Sequence, residues 1–163
     1  MTEILTVRNL CKHYPAFELH DVNFSIRASS IMGLIGRNGA GKTTTIKSIL
    51  RLVRPDGGSV EFLGQPVDDD AAALRREAGY VSGDLCYYPR KRLSQLTAVT
   101  RSFYSAWDSA RYEALLRRFS LDDSKRVCEL SAGMKVKYQL ALALSHRSGL
   151  LILDEPTSGL DPV

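Results

Sequence analysis

One run constrains this chain more than any other: Gly36-Arg37-Asn38-Gly39-Ala40-Gly41-Lys42-Thr43-Thr44, a glycine, four residues, then Gly-Lys-Thr. The apolar stretch Ile31-Met32-Gly33-Leu34-Ile35 before it predicts a buried strand. Lys42 to Leu52 after it, with Ile46, Ile49, Leu50 and Val53 on one face, predicts an amphipathic helix. Gly36, Gly39 and Gly41 let the backbone turn successive N–H groups inward around a phosphate, and the helix N-terminus adds partial positive charge. Lys42 is expected to reach β- and γ-phosphates as a point charge, and the Thr43 hydroxyl to ligate Mg²⁺.

The 163 residues suffice for one domain with a real core, or one domain and a small appendage. A net charge of +4 suits an anionic ligand or the cytoplasmic face of a membrane, and is too weak to argue for nucleic acid. Cys11, Cys86 and Cys128 are odd in number and widely spaced, so neither a disulfide framework nor a zinc site is indicated. No signal peptide is read at the N-terminus and no apolar run approaches a membrane span. Work at a membrane is therefore expected to go through another polypeptide.

Ile4 to Leu10 and Phe17 to Ile26 alternate loosely around His13-Tyr14-Pro15-Ala16, predicting two antiparallel strands and a turn. Tyr14 at that turn is either core or a face on which a nucleotide base stacks. Gly57-Gly58-Ser59 ends the first helix and leads into a short strand to Leu63. Asp68-Asp69-Asp70 reads as the cap and first turn of a helix from Ala71 to Glu77, with a metal site as the sharper alternative. Gly79 to Ser82 reads as a core strand. Helices are expected near Arg92 to Ala106 and Ser109 to Phe119, with Trp107 packed between them, giving a helical lobe inserted in an α/β core.

Leu130-Ser131-Ala132-Gly133-Met134 opens a further helix to His146, with Ser131 as N-cap, either an ordinary cap or a second phosphate site. Leu150-Leu151-Ile152-Leu153 reads as a fully buried strand ending in Asp154-Glu155-Pro156. In an open parallel sheet the C-terminal strand ends gather at one edge, which is expected to bring Asp154 beside the glycine loop. There Asp154 would hold Mg²⁺ through water, and Glu155 would orient or deprotonate an attacking water.

These motifs, with Ser158-Gly159-Leu160-Asp161, occur in an order and spacing that resembles the nucleotide-binding subunit of an ABC transporter, over nearly the whole chain. The resemblance implies a P-loop NTPase core with a parallel sheet, an N-terminal antiparallel β-subdomain and an inserted helical subdomain. The parts would be 1–83 for the ATP-binding core, 84–146 for the helical subdomain with its signature helix, and 147–163 for the acidic strand and the Asp161 loop. It also implies two subunits paired head to tail, as a homodimer or heterodimer, with ATP between the glycine loop of one and the signature helix of the other. Membrane-spanning permease subunits would complete the assembly on the cytoplasmic side of the membrane. By position, Tyr14 would stack on adenine. Gly36, Asn38, Gly39, Ala40, Gly41, Lys42, Thr43 and Thr44 would hold the phosphates, with Thr43 and Asp154 on Mg²⁺ and Glu155 and Lys42 catalytic. Ser131 and Gly133 would contact the γ-phosphate in the opposite subunit, and Asp161 would lie at the pair interface.

The chain departs from the family pattern in places. Gly83-Asp84 stands where a glutamine is usual, and Asp84 either replaces it as an oxygen ligand or caps a turn; this variation is similar to some exporter-like subfamilies. Ala132 and Met134 replace common Gly and Gln, while His13, His20 and His146 all precede Asp154. The family's γ-phosphate-sensing histidine is thus not found, and the chain resembles a C-terminally shortened subunit, expected to turn over little ATP alone. Export is the expected direction of transport. A soluble ABC-type ATPase acting on ribosomes or DNA, and a non-hydrolysing regulatory subunit, are the alternatives.

Overall fold

A computed structural model describes residues 2–82 and 88–156. They fall into two compact units, Met1–Arg75 and Arg76–Val163.

The first unit is built on a sheet of order β2-β1-β3-β4. Strand β1 (Glu3–Tyr14) pairs antiparallel with β2 (Phe17–Arg27) on one side and β3 (Gly57–Phe62) on the other, and β4 (Gln65–Pro66) closes a hairpin with β3. Apolar residues of alternate positions, Leu5 and Val7 on β1, Leu19 on β2, Val60 and Phe62 on β3, are buried. Each such side chain contributes about 1.5 to 3 kcal/mol. Helix α1 (Lys42–Ile49) lies against β1 and β2 and buries Ile46 and Ile49, with Leu50 just beyond it. It ends one turn sooner than its apolar periodicity predicts: Leu52 is half exposed and the chain turns back, Leu52 and Val53 both donating to the Lys47 carbonyl.

The expected buried strand at 31–35 does not form. Those residues are irregular, with Ile31 and Ile35 fully exposed. Residue type marks a segment for burial, but a strand exists only through a neighbour's ladder. No ladder reaches this run among the described residues.

The Asp68 carboxylate accepts from the Ala71 amide at 2.6 Å in the turn that precedes helix α2 (Ala72–Glu77), whose first turn carries no acidic residue, so the aspartate run lies before the helix and does not form its first turn as expected. No group of metal-ligating side chains is found among the described residues.

In the second unit β5 (Ala78–Ser82) and β6 (Leu150–Asp154) run parallel, from Ala78 opposite Leu150 to Ser82 opposite Asp154. β6 is not the fully buried strand its composition suggests. Leu150 and Asp154 are buried, whereas Leu151 and Leu153 are 39% and 42% exposed, because β6 pairs with β5 alone among the described residues. The helices α3 (Leu93–Ser102), α4 (Ser109–Arg118) and α5 (Ala132–Ser145) enclose a core of Leu93, Tyr112, Leu121, Val127, Leu130 and Tyr138. Trp107 packs against that core, its ring 5.4 Å from Tyr112. Inside it Thr97 Oγ1 meets Tyr112 Oη at 2.8 Å and Tyr138 Oη at 3.0 Å, so the buried hydroxyls satisfy one another.

Candidate functional site

The glycine loop is shaped by its backbone. Gly39 and Gly41 have φ of 82° and 91°, the left-handed region that side chains resist. The Ala40 amide donates to the Arg37 carbonyl at 3.1 Å, closing a tight turn, and Gly41 is the N-cap of α1. A Cβ on Gly41 would lie 2.7 Å from Phe17 Cζ and 2.9 Å from Leu19 Cδ1, so only glycine admits the start of β2 this close. Phe17 also pairs with Tyr14 across the hairpin, ring centroids 6.5 Å apart. Tyr14 and the loop exit are thereby brought to the same end of the sheet.

Tyr14 ends β1 and is 36% exposed, and Lys12 Nζ stands 5.4 Å from its ring centroid. Lys12 is held by Asp56 at 2.8 Å, and the same carboxylate accepts from the His13 amide at 2.7 Å. These bonds hold the Asp56 carboxyl below its ordinary range and pin the strand end that carries Tyr14.

Lys42 is the first residue of α1 and folds back over the loop, its Nζ donating to the Gly36 carbonyl at 2.9 Å and to the Arg37 carbonyl at 3.1 Å. Thr43 and Thr44 follow, half-buried in the first turn, which carries no acidic residue. Asn38, Gly39 and Ala40 are exposed at the crest. A helix N-terminus with a cation on its first residue and no carboxylate in its first turn favours an anion. The site fits a phosphate on those grounds.

In the second unit Asp154 closes β6, buried, in register with Ser82. Tyr80 Oη donates to its Oδ2 at 3.4 Å. Burial, with the charge and hydrogen bond of Asp154, pushes the Tyr80 hydroxyl up to about 12, so it stays a donor at neutral pH. Glu155 follows at φ 49° and is exposed, a left-handed residue that turns the chain out of the strand path.

Ser131 caps α5, its Oγ accepting from the Met134 amide at 3.2 Å, with Gly133 half-buried in the first turn. The hydroxyl is thus an N-cap, as its sequence position predicts. Asp84 and Asp161 lie outside the described residues.

Gln139 was not singled out by sequence. Its side-chain amide donates to the Ser82 carbonyl at 2.8 Å and accepts from the Ser82 amide at 2.9 Å, holding the last residue of β5 as a neighbouring strand would. The one available signal was a polar residue on the apolar stripe of α5 beside Val136 and Ala143.

Comparison with known proteins identifies the family. The profile of the ABC transporter family matches residues 19–158. The ABC transporter ATP-binding protein YtrB of Bacillus subtilis is 32% identical over 145 residues, covering 89% of this chain and 49% of its own. The Nod factor export ATP-binding protein I of Burkholderia orbicola is 38% identical over 161 residues, covering 95% and 53%. Among solved structures, an ATP-binding subunit of an ABC transporter superposes with a TM-score of 0.84 at 34% identity, covering 98% of this chain and 69% of that one. The chain spans about half the length of the curated relatives it matches. From the glycine loop to the acidic strand end, the chain belongs to the ABC transporter family of ATP-binding proteins.

Proposed function

We propose that this chain binds and hydrolyses ATP as the nucleotide-binding subunit of an exporter, acting on separate membrane-spanning permease subunits. The observation that carries the reading is the left-handed glycine turn at Gly39 and Gly41 feeding Lys42 into the start of α1. Tyr14 stacks on the base, and the amides of the loop with Lys42, Thr43 and Thr44 hold the phosphates. To do so Lys42 exchanges its contacts with the Gly36 and Arg37 carbonyls for phosphate oxygens. Mg²⁺, when bound, neutralises charge on the phosphate oxygens; Thr43 and Asp154 are the ligands offered, with Asp84 as a further one, and a Mg²⁺ bound with phosphates requires few protein oxygens. Glu155 positions the water and accepts its proton.

Ser131 and Gly133 serve the second subunit of a head-to-tail pair, homodimeric or heterodimeric, with Asp161 at the contact. Attachment through permeases places the assembly at the cytoplasmic side of the membrane. No helix among the described residues is long and apolar enough to cross a bilayer, which is consistent with a need for such partners. The parts proposed for this work are 1–83, 84–146 and 147–163.

Titration with a fluorescent ATP analogue and Mg²⁺ tests the reading. K42A is expected to weaken binding by about ten- to a hundredfold, the worth of a charge-assisted contact. E155Q should keep binding and lose turnover, while the chain alone should hydrolyse slowly. Unchanged binding in K42A would overturn the assignment of the loop.

A further inference from the structure

The helical unit sets two arginines opposite each other. Arg92 and Arg126 are partners in an isolated antiparallel bridge. Leu93 N donates to the Lys125 carbonyl at 3.0 Å and Val127 N to the Lys91 carbonyl at 3.1 Å, so the arginines form the non-hydrogen-bonded pair between those two bonds. In such a pair the side chains stand on one face with Cβ atoms about 4.5 to 5.5 Å apart.

The two positions are built alike. Arg92 (φ −74°, ψ 151°) precedes α3 and Arg126 (φ −87°, ψ 155°) precedes the 3₁₀ turn Val127–Glu129. The Arg92 amide donates to Gln95 Oε1 at 3.1 Å and the Arg126 amide to Glu129 Oε2 at 2.5 Å. The next residues, Leu93 and Val127, are 0% and 1% exposed, which anchors each arginine from behind. Both arginine side chains are left in solvent, and none of the ion pairs among the described residues involves either.

Like charges directly opposite each other destabilise a ladder. Here the backbone of each is fixed by its own cap, and an anion between the guanidiniums would turn the repulsion into two charge-assisted forks. We propose that Arg92 and Arg126 form a two-arginine clamp for a phosphate group, distinct from the glycine loop. The exposed Lys91 and Lys125 flank it and favour a ligand of more than one negative charge or a surface of many. The phosphate comes either from an anionic lipid headgroup or from free phosphate.

Two probes applied to the full chain separate these sources. Co-sedimentation with phosphatidylglycerol vesicles, against phosphatidylcholine vesicles, reads the headgroup. Inorganic phosphate titrated against the melting temperature reads the free ion, through the stabilisation that any ligand of the folded state confers. At least one probe should bind, and its apparent affinity should fall about tenfold in R92Q and in R126Q. R92K/R126K, which keeps charge and loses the fork, should recover only part. Retention on the vesicles alone assigns the lipid, and a rise in melting temperature alone assigns the free ion. Phosphate held by the glycine loop would persist in R92Q/R126Q and is thereby told apart. Without anion, R92Q/R126Q should melt no lower than the parent, since a repulsion has been removed. Indistinguishable binding by the parent and R92Q/R126Q, or a lower melting temperature in R92Q/R126Q without anion, overturns the proposal.

Discussion

Gly39 and Gly41 share the left-handed backbone region, yet alanine should be felt unequally at them. At Gly39 no atom lies within 4 Å of the place an alanine methyl would take, so G39A carries only the conformational cost, roughly 1 to 2 kcal/mol. G41A adds the displacement of Phe17 and Leu19, whose tips would stand 2.7 and 2.9 Å from the new carbon, and should cost about 1 kcal/mol more. Urea unfolding of the two variants measures the difference, and equal costs would show that the hairpin gives way freely. His146 offers a second single-residue test. It is 4% exposed, stacked on Tyr104 at 3.9 Å, and its Nδ1 has no hydrogen-bond partner among the described residues. Burial holds its pKa below the ordinary histidine value, with Glu77 opposing; Arg76 and Arg147 line the adjoining cavity. The unfolded chain therefore binds this proton first as pH falls below about 6.5, and stability contributed by the neutral ring is lost from there down through the folded pKa. H146F, which keeps a ring on Tyr104 without the proton, should flatten the fall in melting temperature across that window. An unchanged pH profile would clear His146 of the effect.

At the scale of elements, α5 meets β5 through the packing of Val81 on Val136 and Ala143 and, among the described residues, through the hydrogen bonds of one polar side chain, Gln139. Q139L removes both hydrogen bonds to the Ser82 backbone and should cost about 2 to 4 kcal/mol, against 1 kcal/mol or less, roughly, for an apolar residue repacking on a satisfied strand end. Chemical unfolding decides between these values. Sequence periodicity disclosed the helices α1, α3, α4 and α5 and the β1–β2 hairpin, because each has one buried face. It gave β1 only as far as Leu10, since bulges between Val7 and Leu10 and between Leu10 and Lys12 shift the alternation. The bulge is held by Asn9 at φ 48°, its amide donating to Asn23 Oδ1 at 2.8 Å and its side chain to Asp21 at 2.6 Å. Gly58 is glycine for the same reason: a Cβ there would meet the Asn9 carbonyl oxygen at 2.4 Å. The glycine loop was legible because its chemistry resides in consecutive residues. Gln139 and the Arg92–Arg126 pair were not, because their roles arise from partners distant in sequence.

For the molecule as a whole, the decisive surface is the apolar run that no strand pairs with among the described residues. Ile31 and Ile35 are 102% and 94% exposed, with Met32 and Leu34 each 39% exposed between them. A run of this kind presents large apolar side chains together with backbone groups outside any ladder, the combination that recruits another chain. The weight-average mass in sedimentation should therefore rise with protein concentration. Salt that screens the net charge of +4 should increase the effect, because repulsion between copies is then reduced. In I31N/I35N the association should fall. Its unfolding free energy should stay within about 0.5 kcal/mol of the parent, as for other surface substitutions. The two readouts discriminate between arrangements of the run. Were 31–35 buried as a core strand, two asparagines there would be left unsatisfied among apolar neighbours and the variant would lose several kcal/mol. A destabilised I31N/I35N would thus restore the strand that composition predicts, whereas a stable and monomeric one fixes the run as the surface through which copies of this chain meet.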